Sequence, residues 1–201
     1  MSGHNNNTSQ SAAKILNAAI DLFASDNFSA VSIKEIAVAS GVNSALISYY
    51  FGGKKNLYQE VLNSQSEIFF QLIDNIRTVE MSPLAKLHHY VHSIVQMQEA
   101  HPHCIHLIYR ELLSPQPMFE NFVKNRLYRI HQFMTELVAE AIEREEISSR
   151  IQPTHVAFTL ESIIMFYFLT HKQIRDLGNF LPGSEIDYLT QALNTYLASL
   201  S

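Results

Sequence analysis

Between Asn43 and Lys55 the chain concentrates short polar side chains, two tyrosines and two lysines: Asn43, Ser44, Ser48, Tyr49, Tyr50, Lys54 and Lys55. Tyr and Ser hydroxyls suit phosphate oxygens, and Asn and Ser can reach base edges. The two lysines open a helical pattern, where unpaired N–H groups and the helix dipole already favour a phosphate. No Arg occurs in residues 1–60. The two-pronged Arg–guanine contact is therefore unavailable, and few cations are present to displace counterions, so a modest salt dependence is expected.

A second group is histidine-rich. His88, His89, His92, His101, His103 and His106 fall within nineteen residues, beside the single cysteine, Cys104. His88 and His92 stand four apart, a spacing that can chelate a metal on one helix face. No HExxH sequence completes a zincin motif, and surface histidines explain the cluster equally well, so no metal is expected. The chain has no Gly-rich phosphate loop and no nucleophile elbow. On a helix, His103 and Cys104 point apart, which makes a poor thiol–imidazole pair. The reading is not an enzyme, with no cofactor.

The elements that position these residues are helical. The 201 residues are 47 % hydrophobic and only 16 % charged, enough for a full core and suggestive of surface buried against a partner. The net charge of −5 argues against coating nucleic acid or anionic membrane. Its distribution is uneven: residues 1–60 carry four basic and four acidic side chains, and the remainder carries ten and fifteen. An anionic partner therefore meets the first sixty residues. One cysteine precludes an internal disulfide and fits a reducing compartment. No signal peptide is visible, and the most apolar run, 163–169, is too short to span a bilayer. These features predict a cytoplasmic protein without a membrane partner.

Residues 1–8 read as a disordered tail. From Ser9 onward the apolar spacing is helical and no segment alternates with period two, which predicts an all-α fold of about nine helices. The first, about 11–24, carries Ile15, Leu16, Ala19, Leu22 and Phe23 on one stripe. Ser32 with Glu35 forms a capping box for a short second helix. Gly41 supplies the positive φ of a tight turn, and Asn43 or Ser44 caps a short third helix ending at Gly52-Gly53. Helices follow at about 54–77, 83–99, 102–113, from Ser114-Pro115-Gln116-Pro117 to about 146, at 153–176 and at 184–200. Residues 32–51 thus follow helix-turn-helix grammar, with the second helix of the motif as a reading head exposing Asn43, Ser44, Ala45, Ser48 and Tyr49.

The run ILNAAIDLFASDNFSAVSIKEIAVASGVNSALISYYFGGKKNLYQEVL, residues 15–62, resembles the TetR/AcrR transcriptional regulators. Gly41-Val42, Tyr50-Phe51, Lys54 and Leu57-Tyr58 match that family's most characteristic positions. The later run YRELLSPQPMFENFVKNRLYRIHQFM, Tyr109 to Met134, is similar to the C-terminal domain of a CerR-like subgroup. The resemblance implies a DNA-binding domain over 9–69 and a helical effector-binding and dimerisation domain over 70–201. It also implies that Ser32 binds phosphate, that Asn43, Ser44, Ala45 and Ser48 face the major groove, and that Tyr49, Tyr50 and Lys54 meet the backbone.

Two further expectations concern the second domain. Residues 156–169 are apolar nearly all round, and the last helix presents Ile186, Leu189, Leu193, Tyr196, Leu197 and Leu200 on one broad face. Burying both is most economical against a second copy of the chain, through helices 153–176 and 184–200. An apolar effector cavity between helices is expected from Tyr109, His131, Met134, Phe158, Glu161 and Met165, with His131, His155 or Glu161 orienting the ligand. The combined expectation is a homodimeric repressor of a pseudo-palindromic double-stranded operator, released when a small molecule shifts the fourth helix. Two alternatives are a helical scaffold whose helix-turn-helix is structural only, and an enzyme working in the C-terminal cavity.

Overall fold

The computed structural model describes residues 3–113, 120–176 and 185–200. Over these residues the chain forms nine helices and no strand: α1 (Gly3–Ser25), α2 (Ile33–Ser40), α3 (Ser44–Phe51), α4 (Lys54–Thr78), α5 (Pro83–Ala100), α6 (Cys104–Leu113), α7 (Glu120–Glu143), α8 (Pro153–Asp176) and α9 (Glu185–Ala198). Two compact units divide inside α4, the first Met1–Gln65 and the second Ser66–Ser201.

In the first unit, α1 runs through the segment whose composition suggests a disordered tail, beginning at Gly3 rather than near Ser9. Extending an existing helix fixes one residue per added hydrogen bond, so a helix nucleated further along can propagate through polar residues. The stripe Ile15, Ala19 and Phe23 is fully buried, as are Ile36 of α2, Ile47 of α3 and Leu57, Tyr58 and Val61 of α4, and α1 packs on α2 and α3. Phe23 and Phe28 both pack on Tyr58, at ring-centroid distances of 4.7 and 5.0 Å. Each such apolar side chain contributes about 1.5–3 kcal/mol when fully buried.

The turn between α2 and α3 is set by local hydrogen bonds. Ser32 Oγ accepts from Glu35 N–H at 3.2 Å, and Ser32 N–H donates to Glu35 Oε2 at 2.7 Å. This closed box is independent of the core and fixes the start of α2. At its other end Gly41 adopts φ 67°, and Val42 N–H donates to Ala37 carbonyl at 3.1 Å. A side chain at that φ costs about 1–2 kcal/mol, which explains the glycine. Gly52, at φ 71°, closes α3 in the same way by donating to Ser48 carbonyl at 2.9 Å.

The second unit packs α7 between α5 and α8, with α6 against α7 and α8, and α9 against α5 and α8. Its core includes Leu87, Tyr90, Ile94, Ile105, Phe133, Met134, Val138, Leu160, Ile164, Leu193 and Leu197. The expected start of α7 at Ser114-Pro115-Gln116-Pro117 lies outside the described residues. Its end is unusual, because Glu145 takes φ 59°, a left-handed position more often filled by glycine. Glu146 N–H then donates back to Ala141 carbonyl at 2.9 Å, and Ile147 is buried. That reversal delivers the Glu146 carboxylate to the start of α5, where it accepts from Ser82 Oγ at 3.0 Å and Leu84 N–H at 2.8 Å. Among the described residues no helix is long and apolar enough to cross a membrane.

Candidate nucleic-acid interface and effector cavity

Ile47 is fully buried and anchors α3 against the first unit's core. The opposite side of that short helix is exposed: Ser44, Ala45, Ser48 and Tyr49 all face solvent, Tyr49 at 76 %. Residues 44 and 48, and 45 and 49, stand one turn apart, so they form one continuous exposed strip. It is bounded by the glycines at 41 and 52.

Of the two expected caps of α3, Asn43 is the one that fills the position. Its side-chain oxygen accepts from Ala45 N–H at 2.9 Å and caps α3. Asn43 thus first holds the reading helix together, a contribution of about 0.5–2 kcal/mol. Any contact it makes with a base is shared with that cap. Ser32 keeps a hydroxyl proton to donate, since its oxygen is only an acceptor in the capping box. Tyr50 is half-buried, with its ring edge-on to Tyr49 at 5.1 Å and to Phe51 at 6.5 Å.

Lys54 stands at the amino end of α4, and its ammonium lies 4.4 Å from the centroid of the Phe28 ring. Partial burial lowers its pKa, and the nearby Glu35 carboxylate offsets part of that. A cation held over a ring in this way is worth about 0.5–1 kcal/mol at an exposed site. Lys34 and Lys55 are exposed. Phe28 is not among the residues expected at this site; its only sequence signal is an aromatic beside the Asp26-Asn27 helix stop.

The second unit contains a cavity of about 320 Å³ lined by Tyr109, Leu112, Leu127, Tyr128, His131, Phe158, Glu161, Ser162 and Met165. Five of the six expected pocket residues share its wall. Met134 does not: it is fully buried in the core, where the apolar stripe of α7 needs it. His155 is exposed near the start of α8. Leu112, Leu127, Tyr128 and Ser162 also line the cavity and are not among those six. Helical spacing could have found them, because 127, 128 and 131 share one face of α7, and 158, 161, 162 and 165 share one face of α8.

The cavity's polar feature is a pair. His131 Nδ1 and Glu161 Oε2 are 3.0 Å apart. An ionised carboxylate can only accept, which places the imidazole proton on Nδ1. The other oxygen, Glu161 Oε1, is buried and has no hydrogen-bond partner among the described residues. Burial raises the Glu161 pKa, and the hydrogen bond and charge of His131 pull it partly back. Burial also raises the Tyr109 phenol, followed by the charge of Glu161.

The other constellations stay apart. His88 Nδ1 pairs with Asn194 Oδ1 at 2.8 Å, and His92 Nε2 with Gln96 at 2.9 Å. No group of three or more metal-ligating side chains forms among the described residues. Cys104 is fully buried, which pushes its thiol pKa up and away from nucleophilic chemistry.

Sequence comparison agrees with both halves. Residues 15–61 match the profile described as "Bacterial regulatory proteins, tetR family", and residues 83–200 match "HTH-type transcriptional dual regulator CecR, C-terminal domain". CecR is thus the name attached to the subgroup read above as CerR-like. The "Probable HTH-type transcriptional regulator YttP" of Bacillus subtilis is 27 % identical over 179 residues, covering 87 % of this chain and 85 % of that protein. The HTH-type transcriptional regulator RutR of Escherichia coli K12 is 25 % identical over 153 residues, covering 76 % and 71 %. The structure of the ketosteroid transcriptional regulator KstR2 of Mycobacterium tuberculosis shares the fold with a TM-score of 0.77, at 18 % identity and 94 % coverage of both chains.

Proposed function

The chain belongs to the TetR family of bacterial regulatory proteins, with a C-terminal domain of the CecR type, and is a ligand-responsive DNA-binding transcriptional regulator; from that premise we propose that it is a homodimeric repressor working in the cytoplasm. Each subunit lays α3 in one major groove of a pseudo-palindromic operator. The two half-sites then lie one helical turn, about 34 Å, or a multiple of it apart. The observation that carries this reading is the exposed strip Ser44, Ala45, Ser48 and Tyr49 on a helix anchored from behind by Ile47. Ser32, Tyr49, Tyr50 and Lys54 position the duplex through phosphates, and Ser44, Ala45 and Ser48 read the groove. Asn43 supports them as the cap of α3.

The subunits meet through α8 and α9. Support comes from the large apolar side chains these helices leave uncovered: Phe158 at 67 %, Phe166 at 63 % and Tyr188 at 45 %. The cavity is the effector site, and α7 is the lever. Leu127, Tyr128 and His131 on α7 line the cavity. On the same helix Arg126 holds Glu67 at 2.8 Å, and Arg129 lies over the Phe70 ring at 4.0 Å. Glu67 and Phe70 belong to α4. An effector that favours one packing of α7 therefore biases α4, and operator affinity changes by a population shift.

The test is a gel-shift titration of the full chain against its own upstream region, with light scattering of the same sample. Specific binding by a dimer is the expected result. A monomer at micromolar concentration, or an absence of binding at low salt, would return the helix-turn-helix to a purely structural role.

A further inference from the structure

We propose that the effector of this cavity is a small aromatic or aliphatic amine, bound as a cation or as an N–H donor to Glu161 Oε1; this rests on the cavity being the effector site. Nearly the whole wall is apolar or aromatic: Tyr109, Leu112, Leu127, Tyr128, Phe158 and Met165. Such a wall selects a hydrophobic body. The polar atoms that can orient it are few, and the geometry distributes them unevenly. Glu161 Oε2 is occupied by His131, whereas Oε1 is buried without a partner among the described residues. A buried acceptor in that condition is costly, and a ligand donor that reaches it removes the cost on binding.

The charge of the wall argues for the same ligand. Among the described residues, no Lys or Arg side chain lines the cavity. The nearest arginines of α7 are directed elsewhere, Arg126 to Glu67 and Arg129 to the Phe70 ring. A carboxylate or phosphate ligand would bring a second anion beside Glu161 with only one imidazole to share. An ammonium instead gains a charge-assisted hydrogen bond at Oε1 and a wall that contains three aromatic rings, those of Tyr109, Tyr128 and Phe158. Tyr128 and Phe158 line the cavity and are 65 % and 67 % exposed, so they stand at its mouth, where a ligand enters. With a volume of about 320 Å³, the cavity sits at the small end of the roughly 300–1,000 Å³ range of small-molecule sites.

Three probes of matched shape and different charge decide the matter: 4-phenylbutylamine, 4-phenylbutanol and 4-phenylbutyrate. Calorimetry on the full-length wild-type protein near neutral pH gives their affinities, and a gel shift with the operator fragment reports release. The amine is expected to bind about tenfold or more tighter than the alcohol, with the carboxylate weakest. Glu161→Gln is expected to bring the amine and alcohol within about threefold, because the amide keeps its acceptor towards His131 and loses the charge. A carboxylate that binds as well as the amine, a preference that survives Glu161→Gln, or no binding by any probe overturns the proposal. An amine preference without any effect on the operator complex leaves the charge selectivity standing and instead removes the cavity from the effector role.

Discussion

The guanidinium carbon of Arg129 lies 4.0 Å from the centroid of the Phe70 ring, and Arg126 approaches the same ring at 5.0 Å. Two cations from one helix thus bracket one aromatic from another. Phe70 is itself almost wholly buried, so the contact is not a loose surface pair. It joins α4 to the helix that carries His131.

Arg129→Ala tests that joint. The substitution is expected to leave an effector able to bind but to reduce its leverage on operator affinity by roughly fivefold, within the usual coupling energies of about 1–3 kcal/mol. Measuring operator affinity with and without saturating effector, in both proteins, gives the coupling directly. An unchanged ratio would show that α7 acts on α4 by another route.

At the nucleic-acid face, Lys54→Ala and Ser48→Ala should fail in different ways. Losing the Lys54 charge is expected to weaken binding to all sequences alike and to reduce the slope of log affinity against log salt by about one. Ser48→Ala is expected to change the ranking of operator variants while leaving the salt slope alone. Competition assays across a small operator library at two or more salt concentrations separate these outcomes.

Gly41→Ala addresses the turn. Nothing within 4 Å would obstruct the added methyl, so the whole effect comes from φ 67°. The expected loss is about 1 kcal/mol, or about 2–4 °C in Tm for a chain of this size. Calorimetry checks it. A neutral result would mean that the α2–α3 turn relaxes to negative φ without strain.

Glu161 makes a pH prediction whose sign follows from burial. The folded protein holds this carboxyl above its ordinary pKa of 4.5. The stability it contributes is therefore fully present below the unfolded pKa and is lost as pH rises through the folded one. The neighbours that share its field are His131 on α7, Tyr109 on α6 and Tyr90 on α5. Glu161→Gln removes the ionisation, so the melting temperature of the variant relative to wild type should climb between acid and neutral pH. A difference that is flat with pH would mean that His131 compensates the burial completely.

Residues 32–51 were legible because local rules and tertiary demands agree there. Ser32 with Glu35, Gly41, Asn43 and Gly52 each dictate one hydrogen-bonded stop or start, and the apolar spacing between them admits one buried face. Sequence alone left the cap open between Asn43 and Ser44, because either side chain can accept from a free N–H at the start of α3. The cavity was half legible. Glu161 stands out as a charge in an apolar run, but Tyr128 and Leu127 become wall residues only through the way α7 is rotated against α8. Met134 shows the converse, since its type suits a pocket but its position on α7 faces the core. The Phe28–Lys54 contact joins residues 26 positions apart and has no signature in either neighbourhood.

Phe158 has two allegiances. Its side chain lines the cavity, and most of its surface is exposed on the helix proposed to meet a second subunit. Self-association and small-molecule capture then draw on the same side chain and cannot be independent equilibria. Dilution of the protein should alter its apparent appetite for the ligand, and saturation with the ligand should alter the concentration at which the chains pair.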